Sequence, residues 1–233
     1  MAEIVLVRHG QASARARDYD VLSELGARQA RRLGEHWARA GVSFDKIFSG
    51  PRKRQRDTAR HLVEAARAAG ARWPDVVELE SCDELPLPSI LAVWLPTVVE
   101  SDPVARAVAM QEWTHTNEEI GRLLGRAMKK WAAGEIAADG LLTFAGFVAR
   151  IEGALTQIRA SGAAPLLVTS AGPVATALHL AGHERAMTPP DVMRLAMSIE
   201  NASVTRVIHD GQRFSVGSAH DVSHLGDDER TLM

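Results

Sequence analysis

The residues best suited to chemistry stand at the start of the chain. Arg8, His9 and Gly10 follow directly after the apolar run Ile4 to Val7. A guanidinium can bind two phosphate oxygens through parallel hydrogen bonds, and an imidazole nitrogen can attack phosphorus. Glycine lets the backbone approach a ligand closely. The tripeptide therefore predicts a phosphoryl site with His9 as nucleophile. The alternative is that Arg8 and His9 merely end a strand at the surface.

Short apolar runs indicate the strands that would position these residues, and apolar stripes at helical spacing indicate the helices between them. The predicted strands are Ile4–Val7, Phe44–Phe48, Val76–Leu79, Ala164–Thr169 and, around the turn Asp210-Gly211, residues 201–208 and 212–219. The predicted helices run from the cap Ser23 to Gly41, from Arg52 to Ala69, from Phe144 to Ile158 and from Pro173 to Ala181. Because open α/β sheets bind ligands beyond the carboxyl ends of their strands, the polar residues after Val7 lie where a ligand is expected.

The middle of the chain is the part about which the sequence says least. Pro86, Pro88 and Pro96 are expected to break any regular element, and Thr188-Pro189-Pro190 is expected to break the chain again. Residues 103–138 have a helical pattern. We interpret about 50 residues here as a helical insertion. It either covers a site and selects the substrate, with its tryptophans contacting apolar groups, or adds core scaffold.

Several blocks of this sequence resemble those of the histidine phosphatase superfamily, the phosphoglycerate-mutase-like phosphatases. They are Val7–Gln11, Asp18–Ala30, Ser49–Ala59, Leu167–Pro173, Asn201–Thr205 and His224-Leu225. They span nearly the whole chain in the expected order, and the likeness is weakest from Pro86 to Leu141. The resemblance implies an α/β fold: a three-layer sandwich with a mostly parallel central sheet, helices on both faces and a helical lid. It implies a single domain over residues 1–233, with the insertion at about 86–141.

The resemblance also implies a reaction, the hydrolysis of a phosphomonoester through a phosphohistidine on His9. The other ring nitrogen of His9 should then donate to a backbone carbonyl. Arg8 and Arg54 would hold the phosphoryl oxygens, together with Gln11. Arg54 is chosen by its offset to the Thr58-Ala59 pair. Arg52 and Arg56 belong to the same run of cations and are expected at the surface.

A carboxylic acid must protonate the leaving oxygen and then activate water. Glu84 occupies the place where the family usually carries this acid. The neighbouring carboxylates remain competitors: Glu78, Glu80 and Asp83. A solvated loop carboxylate is the alternative interpretation of Glu84.

One position departs from the family pattern. The family's "V-S-H-G-G" block aligns with Val168 to Gly172, which places Ser170 where a second histidine is usual. A hydroxyl can donate one neutral hydrogen bond, so we count Ser170 among the phosphate-binding residues. Loss of a preorganised donor typically costs about 2.7–4 kcal/mol. Arg15 is a candidate substitute cation on the first loop.

Composition excludes some classes of protein. The chain has 233 residues, a net charge of −2 and 46% hydrophobic residues, which suits a globular protein and gives no sign of nucleic-acid or membrane binding. The single Cys82 permits no internal disulfide, and we expect a cytoplasmic protein. We expect a small phosphorylated substrate as the only ligand, with no cofactor and no metal, since His179/His183 and His220/His224 are poorly placed as metal pairs. A homodimer is possible.

Two rival functions stay open at this stage. A phosphomutase must retain and return the phosphoryl group, so its pocket should exclude water. A phosphoryl-binding or regulatory protein with weakened catalysis would explain the missing histidine. However, a binder needs neither the nucleophile His9 nor the acid Glu84. The phosphatase is therefore the leading prediction.

Overall fold

A computed structural model describes residues 2–13, 20–112, 114–182, 187–210 and 212–232. Among these residues, six strands form one sheet in the order β3-β2-β4-β1-β5-β6. The strands are β1 (Ala2–Arg8), β2 (Lys46–Ser49), β3 (Val76–Glu78), β4 (Pro165–Thr169), β5 (Val204–His209) and β6 (Phe214–Asp221). The first four run parallel to one another, and β5 and β6 form an antiparallel edge beside β1. The prediction of a mostly parallel sheet is confirmed.

Eight α-helices lie among the described residues. They are α1 (Glu24–Arg39), α2 (Lys53–Ala68), α3 (Leu87–Val98), α4 (Pro103–Ala109), α5 (Asn117–Ala132), α6 (Phe144–Ala160), α7 (Ala171–Leu180) and α8 (Pro189–Ser198). Alternate residues of β1 enter two different apolar cores. Val5 and Val7 pack with α1 and α2, whereas Ile4 and Leu6 pack with the helices of the opposite face. The strand period of two thus produces the predicted helices on both faces.

The helix α1 begins and ends where the sequence predicts. The Ser23 side chain accepts a hydrogen bond from the Gly26 N–H, which satisfies one of the free donors of the first turn. Gly41 follows the last turn with a φ of +69°, a left-handed conformation that glycine adopts without steric cost. The helix packs directly against α2. Gly26 in its first turn contacts Gly10 and Gln11 of the loop that follows β1.

The expectations about the prolines are wrong. Pro88 lies in the first turn of α3, where a missing N–H leaves no helical hydrogen bond unmade, and Pro96 lies in its last turn. Thr188-Pro189-Pro190 begins the helix α8 rather than breaking the chain. There the Asp191 carboxylate accepts from the Thr188 N–H at 3.0 Å, and the prolines occupy the first turn. Proline is compatible with the first turn of a helix, so its presence alone does not predict a break.

The helical pattern over 103–138 corresponds to two helices, α4 and α5. Trp94 of α3 and Trp131 of α5 are buried in the same core as Ile4 and Leu6. Trp131 also packs edge-on against Phe147 of α6. These tryptophans are core residues, and Trp113 lies outside the described residues. A covering role for the insertion stays a prediction.

None of the described helices is both long and apolar enough to cross a membrane.

Candidate active site

His9 follows the last residue of β1 and lies at the carboxyl edge of the parallel strands. Its backbone N–H donates to the Thr169 carbonyl of β4 at 2.8 Å. The ring Nε2 accepts a hydrogen bond from Nε of Arg54 at 3.0 Å, and Nδ1 lies 2.7 Å from the Gly10 carbonyl oxygen. Because a guanidinium can only donate, Nε2 carries a lone pair and Nδ1 carries the proton. The ring is thus held in one tautomer, with a potentially nucleophilic nitrogen facing a cation.

Burial is the main cause of the electrostatic state of His9. Only 4% of the residue is exposed. Desolvation, followed by the charges of Arg54 and Arg8, holds the pKa of His9 well below its usual value of 6.5. Each of these effects disfavours the imidazolium. The ring is therefore neutral at physiological pH, as a nitrogen nucleophile must be.

The guanidinium of Arg54 is held by two contacts, one from Nε to His9 and one from Nη1 to Asp20. It is buried in the first turns of α2, and its Nη1 donates to Oδ1 of Asp20 at 2.7 Å. The second oxygen of Asp20 accepts from the Lys53 N–H at 2.8 Å, at the start of the helix. Thr58, one turn later, donates its hydroxyl to the Arg54 carbonyl and accepts from the Gly10 N–H. The block at Arg54 to Thr58 therefore fixes both the arginine and the histidine loop.

Arg8 is also buried, and it lies against the segment that precedes β5. Its Nη1 donates to the Ile199 carbonyl, and its backbone N–H donates to the Ser203 carbonyl at 3.1 Å. The same segment supports His9, because the side-chain amide of Asn201 and the N–H of Ala202 both donate to the His9 carbonyl at 3.2 Å. The Asn201–Thr205 block thus supports the backbone of both candidate residues.

Gly10 is needed for packing, and this gives a reason for a glycine here besides the expected close approach of a ligand, which stays a prediction. A Cβ at this position would lie 2.4 Å from the Gly26 carbonyl oxygen, inside contact distance. A Cβ on Gly26 would likewise lie 2.1 Å from the Gln11 carbonyl oxygen. The two glycines let the first turn of α1 touch the histidine loop. Gln11 lies in this contact, where its Oε1 accepts from the Ser23 hydroxyl at 2.8 Å.

Glu84 lies beyond β3, with its carboxylate against the start of α7. A Cβ on Gly172 would lie 2.3 Å from Oε1 of Glu84, and that oxygen accepts from the Leu85 N–H at 2.9 Å. The competing carboxylates point elsewhere or are already paired. Glu78 pairs with Arg56 at 3.0 Å near the surface, and Glu80 is exposed.

Arg52, expected at the surface, keeps 35% of its side chain exposed but also contacts the segment that carries Glu84. Its guanidinium binds both oxygens of Asp83, at 2.6 and 3.0 Å, and this hydrogen bonding raises its pKa. Oδ1 of Asp83 also accepts from the Glu84 N–H at 2.7 Å. Arg52 is the residue before α2, so the helical spacing that assigns Arg56 correctly to the surface does not apply to it.

Arg150 of α6 is a site residue that sequence reasoning missed. Its Nη2 donates to the carbonyls of Asp83 and Glu84, at 2.7 and 3.1 Å, from 66 residues beyond Glu84 in the chain. Burial lowers the pKa of its guanidinium. A single arginine inside an amphipathic helix carries no signal of this role, because nothing local distinguishes it from a surface cation.

Ser170 directly follows β4 beside the His9 backbone and is fully buried. Its hydroxyl oxygen accepts from Nε2 of Gln55 at 2.7 Å. The structure therefore brings together His9, Arg8, Arg54, Glu84 and Ser170 at one edge of the sheet. Arg15 and His183 lie outside the described residues. No group of three metal-binding side chains occurs in the described part of the chain.

Comparisons with known proteins bear on the fold and on the first part of this site. Residues 4–83 match the family model of the histidine phosphatase superfamily (branch 1). This segment includes His9 and Arg54 and ends one residue before Glu84. A search of curated proteins finds no significant match.

Solved structures resemble the whole chain. A mycobacterial glucosyl-3-phosphoglycerate phosphatase aligns with a TM-score of 0.64 at 21% identity, covering 97% of this chain and 100% of its own. A phosphoserine phosphatase from Entamoeba histolytica gives 0.63 at 19% identity, with 97% and 100% coverage. A phosphoglycerate mutase from Bacillus anthracis gives 0.61 at 16% identity, with 96% and 94% coverage. The fold is the phosphoglycerate-mutase type.

Proposed function

We propose that this protein belongs to the histidine phosphatase superfamily over its whole length and hydrolyses a phosphomonoester through a phosphohistidine on His9. One observation supports the proposal above the others. The buried His9 ring is neutral, its Nδ1 proton is directed to the Gly10 carbonyl, and its Nε2 lone pair faces Arg54. A nucleophilic nitrogen beside a phosphate-binding guanidinium is the minimum requirement for transfer of a phosphoryl group to histidine.

The first chemical step forms a bond between Nε2 and phosphorus and breaks the bond between phosphorus and the ester oxygen. Glu84 gives its carboxyl proton to the departing oxygen. Because Nε of Arg54 holds the Nε2 lone pair in the free site, this donor must turn to a phosphoryl oxygen when substrate binds. Arg8, Gln11 and Ser170 supply further donors, and Arg15 remains a candidate cation.

The second step reverses the role of Glu84. Its carboxylate takes a proton from water while the water oxygen attacks phosphorus, and the bond between phosphorus and Nε2 breaks. Inorganic phosphate leaves and His9 is again neutral. The depressed pKa of His9 favours this step, since the ring leaves as neutral imidazole, with its one proton on Nδ1 and none on Nε2.

The proposed ligand is a small phosphorylated molecule, and the proposed location is the cytoplasm. The single Cys82 is buried, and burial raises the pKa of its thiol to about 12, which suits an unreactive structural thiol. The single domain over 1–233 and the possible homodimer stay predictions.

A phosphoryl-binding protein with weak catalysis is the second candidate. The observation that favours it is the neutral, fully buried Ser170 at the place of the family's second histidine. A mutase is less favoured, because it must hold the phosphoryl group in the pocket until it is returned. The neutral Ser170 holds that group less strongly than a charged histidine would.

The test is turnover of p-nitrophenyl phosphate combined with acid-quench trapping of a phosphoprotein. The wild-type protein is expected to release phosphate and to show acid-labile label, and His9→Ala is expected to lose both. His61→Ala, on the outer part of α2, is the matched control and should keep both. Phosphate binding by the wild type without turnover or trapped label would favour the binding protein instead.

A further inference from the structure

We propose that Gln55 is a positioning residue that fixes the direction of the Ser170 hydroxyl, so that this serine donates its proton to the phosphoryl group. The inference rests on the proposed phosphoryl site at His9. It gives Ser170 the hydrogen-bond polarity of the histidine that the resemblance leads one to expect there, without that residue's charge.

A backbone N–H, which can only donate, fixes the orientation of the Gln55 amide. The backbone N–H of Arg52 donates to Oε1 of Gln55 at 3.0 Å. This contact identifies the oxygen end of the amide, so the other end is the NH₂ group. That NH₂ lies 2.7 Å from Oγ of Ser170. Because an amide nitrogen only donates, Ser170 must accept.

A serine hydroxyl that accepts one hydrogen bond still has its own proton to donate. Across the described ranges of the chain, the one hydrogen bond of this hydroxyl is the bond that it accepts from Gln55. Its own proton has no acceptor among these residues. The residue has no exposed surface. A buried hydroxyl proton without an acceptor is unfavourable. We infer that substrate binding opens this side of the site and brings a phosphoryl oxygen to the hydroxyl as its acceptor.

The position of Ser170 indicates what that acceptor is. It directly follows Thr169, whose carbonyl accepts from the His9 N–H at 2.8 Å. Two residues later, Gly172 contacts the Glu84 carboxylate. Ser170 therefore lies in the chain between a residue that contacts the His9 backbone and one that contacts the proposed acid, and this places it on the side of the site where oxygens of a phosphoryl group on His9 are expected.

The surrounding packing requires the Gln55 amide in this place. A Cβ on Gly50 would lie 2.2 Å from Oε1 of Gln55, so the strand exit needs a glycine to admit the amide. Gln55 itself has no exposed surface. A buried amide is tolerated only when it is hydrogen-bonded, which the Arg52 and Ser170 contacts provide.

The decisive variant is Gln55→Glu, which keeps the shape of the side chain. One carboxylate oxygen can still accept from the Arg52 N–H, but the other must accept from Ser170, whose proton is then turned away from the phosphoryl group. We expect the Kd of inorganic phosphate to rise and kcat for p-nitrophenyl phosphate to fall, each by roughly tenfold, matching Ser170→Ala.

The double variant Gln55→Glu/Ser170→Ala separates this mechanism from simple charge repulsion. If Gln55 acts through Ser170, adding Gln55→Glu to Ser170→Ala should change the Kd of phosphate and kcat by less than about twofold. If the new charge repels phosphate directly, the two losses multiply, and the inference is overturned.

The pH dependence supplies a further readout. Once the carboxylate introduced by Gln55→Glu is protonated, it can again donate to Ser170, so the phosphate affinity of this variant relative to wild type should recover as the pH falls. Ser170→Ala should show no such recovery. A constant ratio for Gln55→Glu at all pH values would contradict the proposal.

Gln55→Met keeps the test decisive if the glutamate variant does not fold. It removes the amide without adding charge, and its loss of phosphate affinity is expected in the wild-type background and not in Ser170→Ala. Equal losses in both backgrounds would overturn the inference.

The outcomes also separate this inference from the proposed function. Wild-type protein that binds phosphate with the expected variant pattern, yet shows no turnover and no phosphohistidine, would refute the phosphatase and retain the inference. Normal turnover with independent effects of Gln55 and Ser170 would support the phosphatase and refute the inference. Failure of the wild type to bind phosphate at all would refute both.

Discussion

The two sides of the candidate site are built differently. We name the two sides after their proposed roles. The nucleophile side consists of His9, Arg8 and Arg54, and its donors act directly on the imidazole or on the loop that carries it. The acid side is centred on Glu84. Here Arg52 binds the Asp83 carboxylate and Arg150 binds backbone carbonyls, while the Glu84 carboxylate accepts from the neighbouring Leu85 N–H.

The difference follows from what each side must do. A histidine nucleophile works in one state, neutral with an unprotonated Nε2, so strong contacts that fix that state help. A general acid must be able to gain and lose its proton, and an arginine bound to its carboxylate would hold it ionised. Arg52 and Arg150 therefore position the segment through Asp83 and the backbone, and neither binds the carboxylate of the acid itself.

The largest effect that can test this comparison is expected for Glu84→Gln. General acid catalysis is typically worth about 10²–10⁴ in rate, and it matters most when the leaving group is poor. We expect kcat for phenyl phosphate to fall by roughly that factor and kcat for p-nitrophenyl phosphate to fall much less. Glu78→Gln, at the surface pair with Arg56, should leave both rates within about twofold. An equal loss on both substrates would remove Glu84 from the acid role.

A somewhat smaller loss, independent of leaving group, is expected for Arg54→Ala. Removing a donor that stabilises transition-state charge typically costs about 10²–10³ in kcat. Both substrates should lose equally, because the guanidinium acts on the phosphoryl oxygens and not on the departing one. Arg56→Ala, two residues away and exposed, is the matched control. A variant whose loss depended on the leaving group would break the division into two sides.

Arg150→Met is expected to lower kcat by about tenfold with KM little changed, because it removes the two hydrogen bonds that hold the Glu84 backbone. The loss should be larger on phenyl phosphate than on p-nitrophenyl phosphate, as for Glu84→Gln. Arg126→Met is a matched control, since both arginines lie over an aromatic ring, but Arg126 does so over Trp94 in the insertion. Equal kinetics of Arg150→Met and the wild type would show that the Glu84 backbone keeps its position without these two hydrogen bonds.

The smallest effect concerns acid stability and two histidines whose pKa values are lowered, the buried His9 and the partly buried His224. Arg54 and Arg8 add to the effect of burial at His9, whereas burial is the main cause that lowers the pKa of His224 to about 4. The unfolded chain therefore binds more protons below about pH 6.5, so stability is lost as the pH falls through that range. His224→Gln should recover on the order of 2 kcal/mol of unfolding free energy at about pH 4.5 relative to about pH 7.5. Urea unfolding at the two pH values measures this, and an unchanged difference would contradict it.

The sequence by itself determined the elements that carry the nucleophile side. The apolar run before Arg8, the cap at Ser23 and the stripes of α1 and α2 are local signals, since strand period, caps and helical spacing act between near neighbours. They indicated most of the strands and helices and placed His9 directly after a buried strand. The layout of the sheet and the choice of Arg54 came from the resemblance of the motif blocks to the histidine phosphatase superfamily. The prolines misled because their effect depends on whether they begin a helix or interrupt it.

Only the tertiary structure decided how the acid side is held. Arg150 reaches the Glu84 segment from another helix, Arg52 turns to Asp83, and Gln55 meets Ser170 across 115 positions of the chain. Each contact joins residues whose local patterns show an ordinary helix or strand end. Their roles arise where separate elements meet at the sheet edge, because burial there makes every donor and acceptor require a partner.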